Sequence, residues 1–331
     1  MTNPIRFLAF LLIQTAVLPI TITGILLFAI KYLLESRGKS VSRTAYEPFL
    51  TRWFLHALGK REDKAAQQLL YNLPGGSPIT VSMAFGVTAW AMRLTGITIN
   101  KYNYPVYSSS SLFDALGHRT RFFDEMMLRS LDQVEQIVIL GAGWGTRGYG
   151  LAKKENINIF EVDALDTQSQ KRKSLAEANI DSSHVIFATA DFNKESWLDA
   201  LQKVGFDPEK TTFILWEGVT FYLEAETVAA TLQTVATQLA KGSAIAFDYP
   251  AKHIIEGDTS SRIYRYALTK LKRIDEPWTF GISTVFPAKE KLRVFLEQNG
   301  LTLAEYEAIG QGDEQQRIDG GLVLAVNNAA G

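Results

Sequence analysis

The apolar positions of this chain change their pattern three times along its length. From Phe7 to Ile30 there is no charged residue, and Leu, Ile, Val, Phe and Ala dominate. About twenty apolar residues suffice to cross a bilayer, so residues 5–34 are expected to form a transmembrane helix, with residues 1–36 acting as a membrane anchor. A cleaved signal peptide would have an apolar core of only about 7–15 residues and a small-residue cleavage site, which is not seen. A buried helix of a soluble protein would show a polar face, whereas only Gln14 and a few threonines are available here. Pro19 sits mid-span, either as a tolerated kink or as the divide of a re-entrant hairpin. Arg6 precedes the stretch, and Lys31, Arg37, Lys39, Arg43 and Arg52 follow it. The positive-inside rule then places the rest of the chain in the cytoplasm.

Residues 37–110 read as a helical extension or cap. Tyr46, Phe49, Leu50, Trp53, Phe54 and Ala57 recur at i, i+3, i+4 spacing and predict an amphipathic helix over 44–58. Leu73-Pro74-Gly75-Gly76-Ser77-Pro78 is a loop. Residues 79–94 are apolar again, with Trp90 and Arg93, and suit a buried or interfacial helix as well as a second membrane contact; the uncharged run is shorter than a full span needs. Residues 102–111, with Pro105 and four serines, predict an irregular connection.

Beyond residue 136 the period changes to short β-favouring runs separated by helical stretches. The runs are 137–140, 159–162, 185–188, 212–216, 244–247 and 321–326, with helices expected at 167–179, 195–204, 224–240 and 288–299. This alternation predicts a parallel sheet with helices on both faces. Such sheets bind ligands at the carboxyl ends of their strands, near the point where strand order reverses. Those ends carry Gly141-Ala142-Gly143-Trp144-Gly145, then Glu161 and Asp163, Asp191, Glu217, and Asp248-Tyr249.

Composition narrows the chemistry. The 331 residues are 47% hydrophobic and 21% charged with a net charge of −1, which excludes a disordered chain and gives no sign of a nucleic-acid surface. There is no cysteine, and the four histidines lack metal-ligand spacing, so thiolate chemistry is excluded and no metal is expected. Gly143 to Gly148 formally matches G-x-G-x-x-G, so a nicotinamide or flavin enzyme must be weighed. In that fingerprint the first glycine follows the strand directly. Here that residue is Gly141, and the third-glycine position falls on Thr146. S-adenosylmethionine has no pyrophosphate and needs only a thin loop, which Gly141-x-Gly143-x-Gly145 supplies. One carboxylate at the second strand end is expected to meet ribose hydroxyls, and Asp191-Phe192 an adenine. Arg119 and Arg121, straddling Thr120, offer forked donors to a carboxylate, although the same spacing also fits a solvated helix start.

Arg119 to Asp124, Leu140 to Arg147, Phe160 to Asp163, Asp191-Phe192 and Trp216 to Leu223 occur in that order. Together, over roughly residues 110 to 250, they resemble the leucine carboxyl methyltransferase-like family of S-adenosylmethionine-dependent methyltransferases. The resemblance implies a class I methyltransferase fold, an α/β Rossmann-like seven-stranded sheet with its last strand antiparallel. It makes residues 111–331 the catalytic domain, with S-adenosyl-L-methionine as cofactor. Carried over, Arg119 would clamp the methionine carboxylate, with Arg121 as the alternative and Thr120 between them. Gly141, Ala142 and Gly143 would line the cofactor, Asp163 with Glu161 would supply the ribose acid, Asp191 and Phe192 would hold the adenine, and Glu217 the amino group. The family commonly has Asp before the Thr-Arg of the glycine loop, where this chain has Gly145.

Methyl transfer is an in-line displacement that the protein promotes mainly by positioning and by excluding water. A carboxylate acceptor needs no base; a hydroxyl acceptor does. Candidate bases are Tyr249, Asp248, His118 and His253. Residues 250–286, rich in Arg, Lys and Tyr, lie where such folds often insert a substrate cover, although the same composition fits a solvated amphipathic helix better. With the N-terminal stretch this suggests a small-molecule or lipid-like, membrane-associated acceptor rather than a protein. The alternatives are an NAD(P)-dependent oxidoreductase and a non-catalytic membrane-tethered relative.

Overall fold

The computed structural model describes residues 3–37, 41–109, 112–150, 157–259, 261–310 and 318–328, the side chains of 112 and 113 aside. Lys39, Ser110 and Ser111 lie outside the described residues. The apolar runs become β1 Gln136–Leu140, β2 Asn158–Asp163, β3 Val185–Thr189, β4 Thr212–Trp216 and β5 Ala244–Pro250, joined by β6 Thr302–Ile309 and β7 Gly320–Val326. They form one seven-stranded sheet in the order β3-β2-β1-β4-β5-β7-β6. β1 to β5 are parallel, and β7 runs antiparallel to both its neighbours. This is the class I methyltransferase topology. β6 escapes the hydrophobic pattern because it is an edge strand, half-buried along most of its length and carrying Glu305 and Glu307.

Alternate residues of the central strands feed two cores. Ile137, Ile139, Ile159, Phe213 and Leu215 pack with Phe122, Phe123, Met126 and Met127 of α6 Leu112–Ser130 and with Leu175 of α7 Leu165–Glu177. Val138, Leu140, Phe160, Val162, Ile214 and Trp216 pack on the other face. Their partners come from α8 Trp197–Gln202, α9 Ala225–Gln238 and α12 Ala288–Gln298. Parallel strands buried on both faces explain why their sequence is continuously apolar instead of alternating. Residues 250–286 hold α10 Lys252–Ile255 and the basic helix α11 Arg262–Arg273.

The N-terminal third consists of α1 Pro4–Glu35, α2 Tyr46–Ala57, α3 Lys64–Leu70, α4 Pro78–Val81, a π-turn at 82–86 and α5 Val87–Thr95. α1 runs unbroken through Pro19, so the re-entrant hairpin does not form. Its mean hydropathy over an 18-residue window is 2.1, and its length suffices to cross a membrane. The helix does not stand clear of the domain, as a free anchor would. Phe10, Ile13, Gln14, Val17, Thr21, Gly24, Phe28, Lys31 and Tyr32, recurring every three or four residues, form its buried or half-buried stripe.

That stripe is docked from end to end. Phe10 joins Ala91, Met92 and Ile97, with Leu58 and Tyr102 packed on the same cluster. Gly24 lies where a β-carbon would sit 2.4 Å from the backbone nitrogen of Ala84. Phe28 meets Tyr46 and Phe85 edge-on, with centroids 6.1 and 5.5 Å apart. Tyr46 in turn meets Trp144 of the glycine loop at 5.7 Å. Lys31 Nζ donates to the Gly76 carbonyl at 2.7 Å, and Gly75 N–H donates to Glu35 at 2.8 Å.

Because the approach at Gly24 is backbone to backbone, a larger side chain there cannot be absorbed by a rotamer change. Gly24→Val is predicted to destabilise the chain by about 1–3 kcal/mol. Thermal unfolding should show a lowered Tm, with faster protease cleavage between α1 and α2; an unchanged Tm would contradict the docking.

Candidate active site

A cavity of about 980 Å³ lies over the carboxyl ends of the parallel strands, beside the point between β1 and β4 where strand order reverses. Its floor is the glycine loop. Gly141 (φ +65°) and Gly143 (φ +45°) both adopt left-handed backbone that side chains rarely tolerate. A β-carbon at Gly141 would fall 2.3 Å from a Val219 methyl. Asp163 at the end of β2 pins the loop: its Oδ2 accepts from Gly143 N–H at 2.6 Å and its Oδ1 from Ala164 N–H at 2.7 Å. At Gly145 a β-carbon would stand 2.9 Å from the Ala142 carbonyl, with Arg52 Nη2 at 4.0 Å. The turn therefore leaves no room for the aspartate common at this position in the resembled family.

Behind the cavity runs a chain of alternating charges. Thr146 Oγ1 donates to Asp63 at 2.8 Å, and Arg61 pairs with Asp63 and Asp124, each at 2.5 Å. Arg147 joins Asp124, at 2.6 Å, to Glu217. Arg119 then links Glu217, at 3.1 Å, to Asp248, at 3.2 Å. Asp248 also accepts from Gly218 N–H at 2.7 Å. Arg52 approaches Glu217 from α2 at 3.5 Å. These arginines and acids are buried or nearly so, and the four cations balance the four anions. Burial pushes Glu217 up, but Arg147, Arg119 and Arg52 outweigh it and hold it at about 2. Burial pushes Asp248 and Asp163 up, partly offset by Arg119 and Gly218 N–H for the former and by Gly143 and Ala164 N–H for the latter.

The residues singled out in the sequence divide between cavity wall and support. Arg119, Gly141, Ala142, Gly143, Asp163, Asp191, Phe192, Glu217, Asp248 and Tyr249 line the cavity; Thr120, Arg121, Glu161 and His118 do not. Arg121 lies two residues from Arg119, about 200° around the helix. It instead binds Glu125 at 2.9 Å and Glu307 of β6. His118 sits on the same support, Nε2 at 2.6 Å from Glu307 and Nδ1 at 3.2 Å from Ser109. Glu161 shares a strand face with Asp163 but lies deeper, held by Lys171 at 2.7 Å and the Tyr149 hydroxyl at 2.9 Å. Thr120 Oγ1 returns to the Leu116 carbonyl at 2.7 Å.

Arg147 and Arg52 line the cavity without being among the expected site residues. Arg147 lies in the glycine-loop motif, and Arg52 was read as a flanking charge of the N-terminal stretch. Arg52 is only 4% exposed, so it cannot serve as a surface charge. Its Nε has no hydrogen-bond partner, and burial lowers its pKa to about 10, which leaves it cationic near neutrality. The signal was its position within the apolar stripe of α2, three residues after Phe49. A buried guanidinium with an unused donor beside the cavity suits an anionic ligand group. Asp163 retains lone pairs for vicinal hydroxyls. Asp191, half-buried and lowered by Lys194 at 2.7 Å, remains ionised beside Phe192. The donor set thus fits a ligand combining a carboxylate, a ribose and a base.

The leucine carboxyl methyltransferase family pattern matches residues 86–236. A Mycolicibacterium smegmatis protein named "Putative S-adenosyl-L-methionine-dependent methyltransferase" is 30% identical over 160 residues, 48% of this chain and 54% of that protein. A similarly named Mycolicibacterium gilvum protein is 30% identical over 200 residues, 58% of this chain and 63% of that protein. The chain thus spans about half the length of the curated relatives it matches. A solved Thermobifida fusca structure, described as a putative methyltransferase, covers 79% of this chain and 94% of its own at 14% identity and a TM-score of 0.49.

The charge chain has a pH signature. Glu217 is depressed from 4.5 to about 2. Its contribution to stability is therefore complete above the unfolded value and is lost as pH falls through that window. Glu217→Gln, which leaves its arginines uncompensated, is predicted to cost about 3–5 kcal/mol near neutrality. The gap in unfolding free energy between wild type and variant should narrow from pH 4.5 toward 2; a gap independent of pH would contradict the assignment.

Proposed function

We propose, from the premise that residues 86–236 follow the leucine carboxyl methyltransferase pattern on a class I methyltransferase sheet, that this chain is an S-adenosylmethionine-dependent O-methyltransferase. Its acceptor, on this reading, is a lipophilic, membrane-associated molecule. The family match and the relatives support the cofactor class. The single observation carrying the reading is a cavity lined both by the charged groups of Arg52, Arg119, Asp163 and Asp191 and by apolar Ile25, Leu50, Ala84 and Phe85.

When bound, the cofactor supplies a methyl group made electrophilic by its sulfonium sulfur. Arg52 and Arg119 hold its carboxylate, Glu217 keeps both guanidiniums in place beside the amino group, Asp163 receives the ribose hydroxyls, and Asp191 with Phe192 holds the adenine. Gly141, Ala142 and Gly143 provide the thin floor. Thr120, Arg121 and Glu161 act from behind, fixing α6 and β2. The apolar wall and α11, whose Ala267, Lys270 and Leu271 line the cavity, exclude water from the acceptor.

The acceptor atom follows from the available bases. Tyr249 is buried and pushed well above its ordinary range, and burial raises Tyr222 to about 12, so both stay protonated. Asp248 is occupied by Arg119 and Gly218 N–H. His118 and His253 do not line the cavity. A hydroxyl would find no free base among these groups, whereas a carboxylate needs none. We therefore favour a carboxylate as the nucleophile. α1 keeps the chain at the membrane, and the basic residues after it favour the cytoplasmic face.

The test is transfer of labelled methyl from S-adenosylmethionine into membrane, protein and small-molecule fractions of the source cell. The expected product is organic-soluble and releases labelled methanol in mild alkali, as a methyl ester does. An alkali-stable product would overturn the carboxylate assignment, and label confined to protein would overturn the lipophilic acceptor. Arg52→Met should raise the KM for S-adenosylmethionine tenfold or more, with a smaller effect on the acceptor KM.

A further inference from the structure

Two surface helices face outward with apolar side chains that the domain leaves bare. Fourteen large apolar residues of α1, from Ile5 to Leu34, are exposed. On the run from Pro78 to Thr95, antiparallel to α1 and packed against it, Ile79 (69%), Trp90 (55%) and Leu94 (61%) are exposed as well. Of the polar side chains of α1, Gln14 and Thr21 lie on the stripe turned toward the domain, while Thr15 and Thr23 are exposed, the Thr15 hydroxyl donating back to the Leu11 carbonyl at 2.9 Å. Arg6 and Arg93 stand exposed at one end of the pair and Arg37 at the other, where half-buried Lys31, nearly two turns earlier, pairs with exposed Glu35 at 2.8 Å. An outward face this large with basic ends needs a covering phase, and its chemistry matches an anionic lipid surface.

The docking of α1 decides its orientation in that phase. The helix is about 48 Å long at 1.5 Å per residue, against a hydrocarbon core of about 30 Å. Were it upright, the Phe10 end would lie deep in the bilayer and would carry Leu58 and Tyr102 with it. Lys60, whose Nζ donates to the Tyr102 carbonyl at 3.0 Å, and the Lys101–Glu47 pair at 2.8 Å would follow. Each lysine in the hydrocarbon centre costs about 2.5–3.5 kcal/mol. Lying flat, the same helix buries its bare face and leaves these charges in water.

We propose that α1 and the 78–95 run lie in the plane of one leaflet, so that α1 is monotopic and does not span the bilayer. α11 borders the same cavity through Lys270, and its Arg262, Arg265, Lys270, Lys272 and Arg273 are exposed with Ile263 and Tyr266. The apolar cavity wall at Ile25, Phe85 and Thr88 belongs to the same pair of helices. A membrane-resident acceptor then reaches the cavity from the leaflet; this consequence rests on the methyltransferase reading, but the orientation does not.

The chain contains no cysteine, so single thiols can report the two ends of α1. Asn3→Cys and Arg37→Cys variants of the full chain, both at exposed positions, are bound from outside to sealed vesicles of phosphatidylcholine with phosphatidylglycerol, then treated with a membrane-impermeant maleimide. Both thiols are expected to label equally, and binding of the unsubstituted chain should fall at least tenfold on phosphatidylcholine alone. Protection of Asn3→Cys with labelling of Arg37→Cys would establish a span and overturn the proposal. Protein remaining in the supernatant, with the face covered by a second copy, would also overturn it. Thermal stabilisation by S-adenosylhomocysteine, measured on the same samples, separates failure of the orientation from failure of the cofactor reading.

Discussion

The site rests on one buried electrostatic arrangement, the run of alternating charges from Asp63 through Arg61, Asp124, Arg147, Glu217 and Arg119 to Asp248, with Arg52 as a branch. Its members come from five parts of the chain: the helical extension, α6, the glycine loop, the end of β4 and the end of β5. Ion pairs buried this way are seldom a net source of stability, because desolvation consumes much of the Coulombic gain. Their value here is geometric. A guanidinium that must satisfy two carboxylates can occupy one position only, and two such guanidiniums border the cavity. Glu217 is the hub, because losing its charge would leave Arg147, Arg119 and Arg52 facing one another.

The strand ends and the glycine loop were legible in the sequence because their residue types are required locally. Left-handed backbone at Gly141 and Gly143 and the N–H-accepting carboxylate of Asp163 are set within a few residues. Pairings across the chain were not legible. Arg52 meets Glu217, 165 residues later, and nothing in local spacing distinguishes it from a flanking surface charge. Helical phase separates Arg119 from Arg121, and depth along one strand face separates Asp163 from Glu161. β6 was hidden by its edge position, where half-exposed strands carry glutamates that serve α6.

The N-terminal helix shows a different limit. Composition alone made residues 5–34 apolar enough to span a membrane, and it could not reveal a face committed to the domain. Gly24, Phe28 and Tyr32 tie that face to the π-turn, to α2 and, through Tyr46, to Trp144 in the glycine loop. The outward apolar face of α1 and the cavity floor are thus linked through Phe28, Tyr46 and Trp144, and the π-turn at 82–86 borders both. In the proposed orientation, the helix pair that meets the lipid is also the one that walls the acceptor pocket.

The dependence of the site on its charge chain can be measured far from the cavity. Arg61 does not line the cavity, yet it joins Asp63 to Asp124. Isothermal titration of S-adenosylhomocysteine into wild-type chain and into Arg61→Met, with circular dichroism to establish that the sheet is intact, is the direct measurement. One ligand per chain in the wild type and at least tenfold weaker binding in the variant is the predicted result. Equal affinity in the two folded proteins, or titration heat with NADH in place of S-adenosylhomocysteine, would contradict the account.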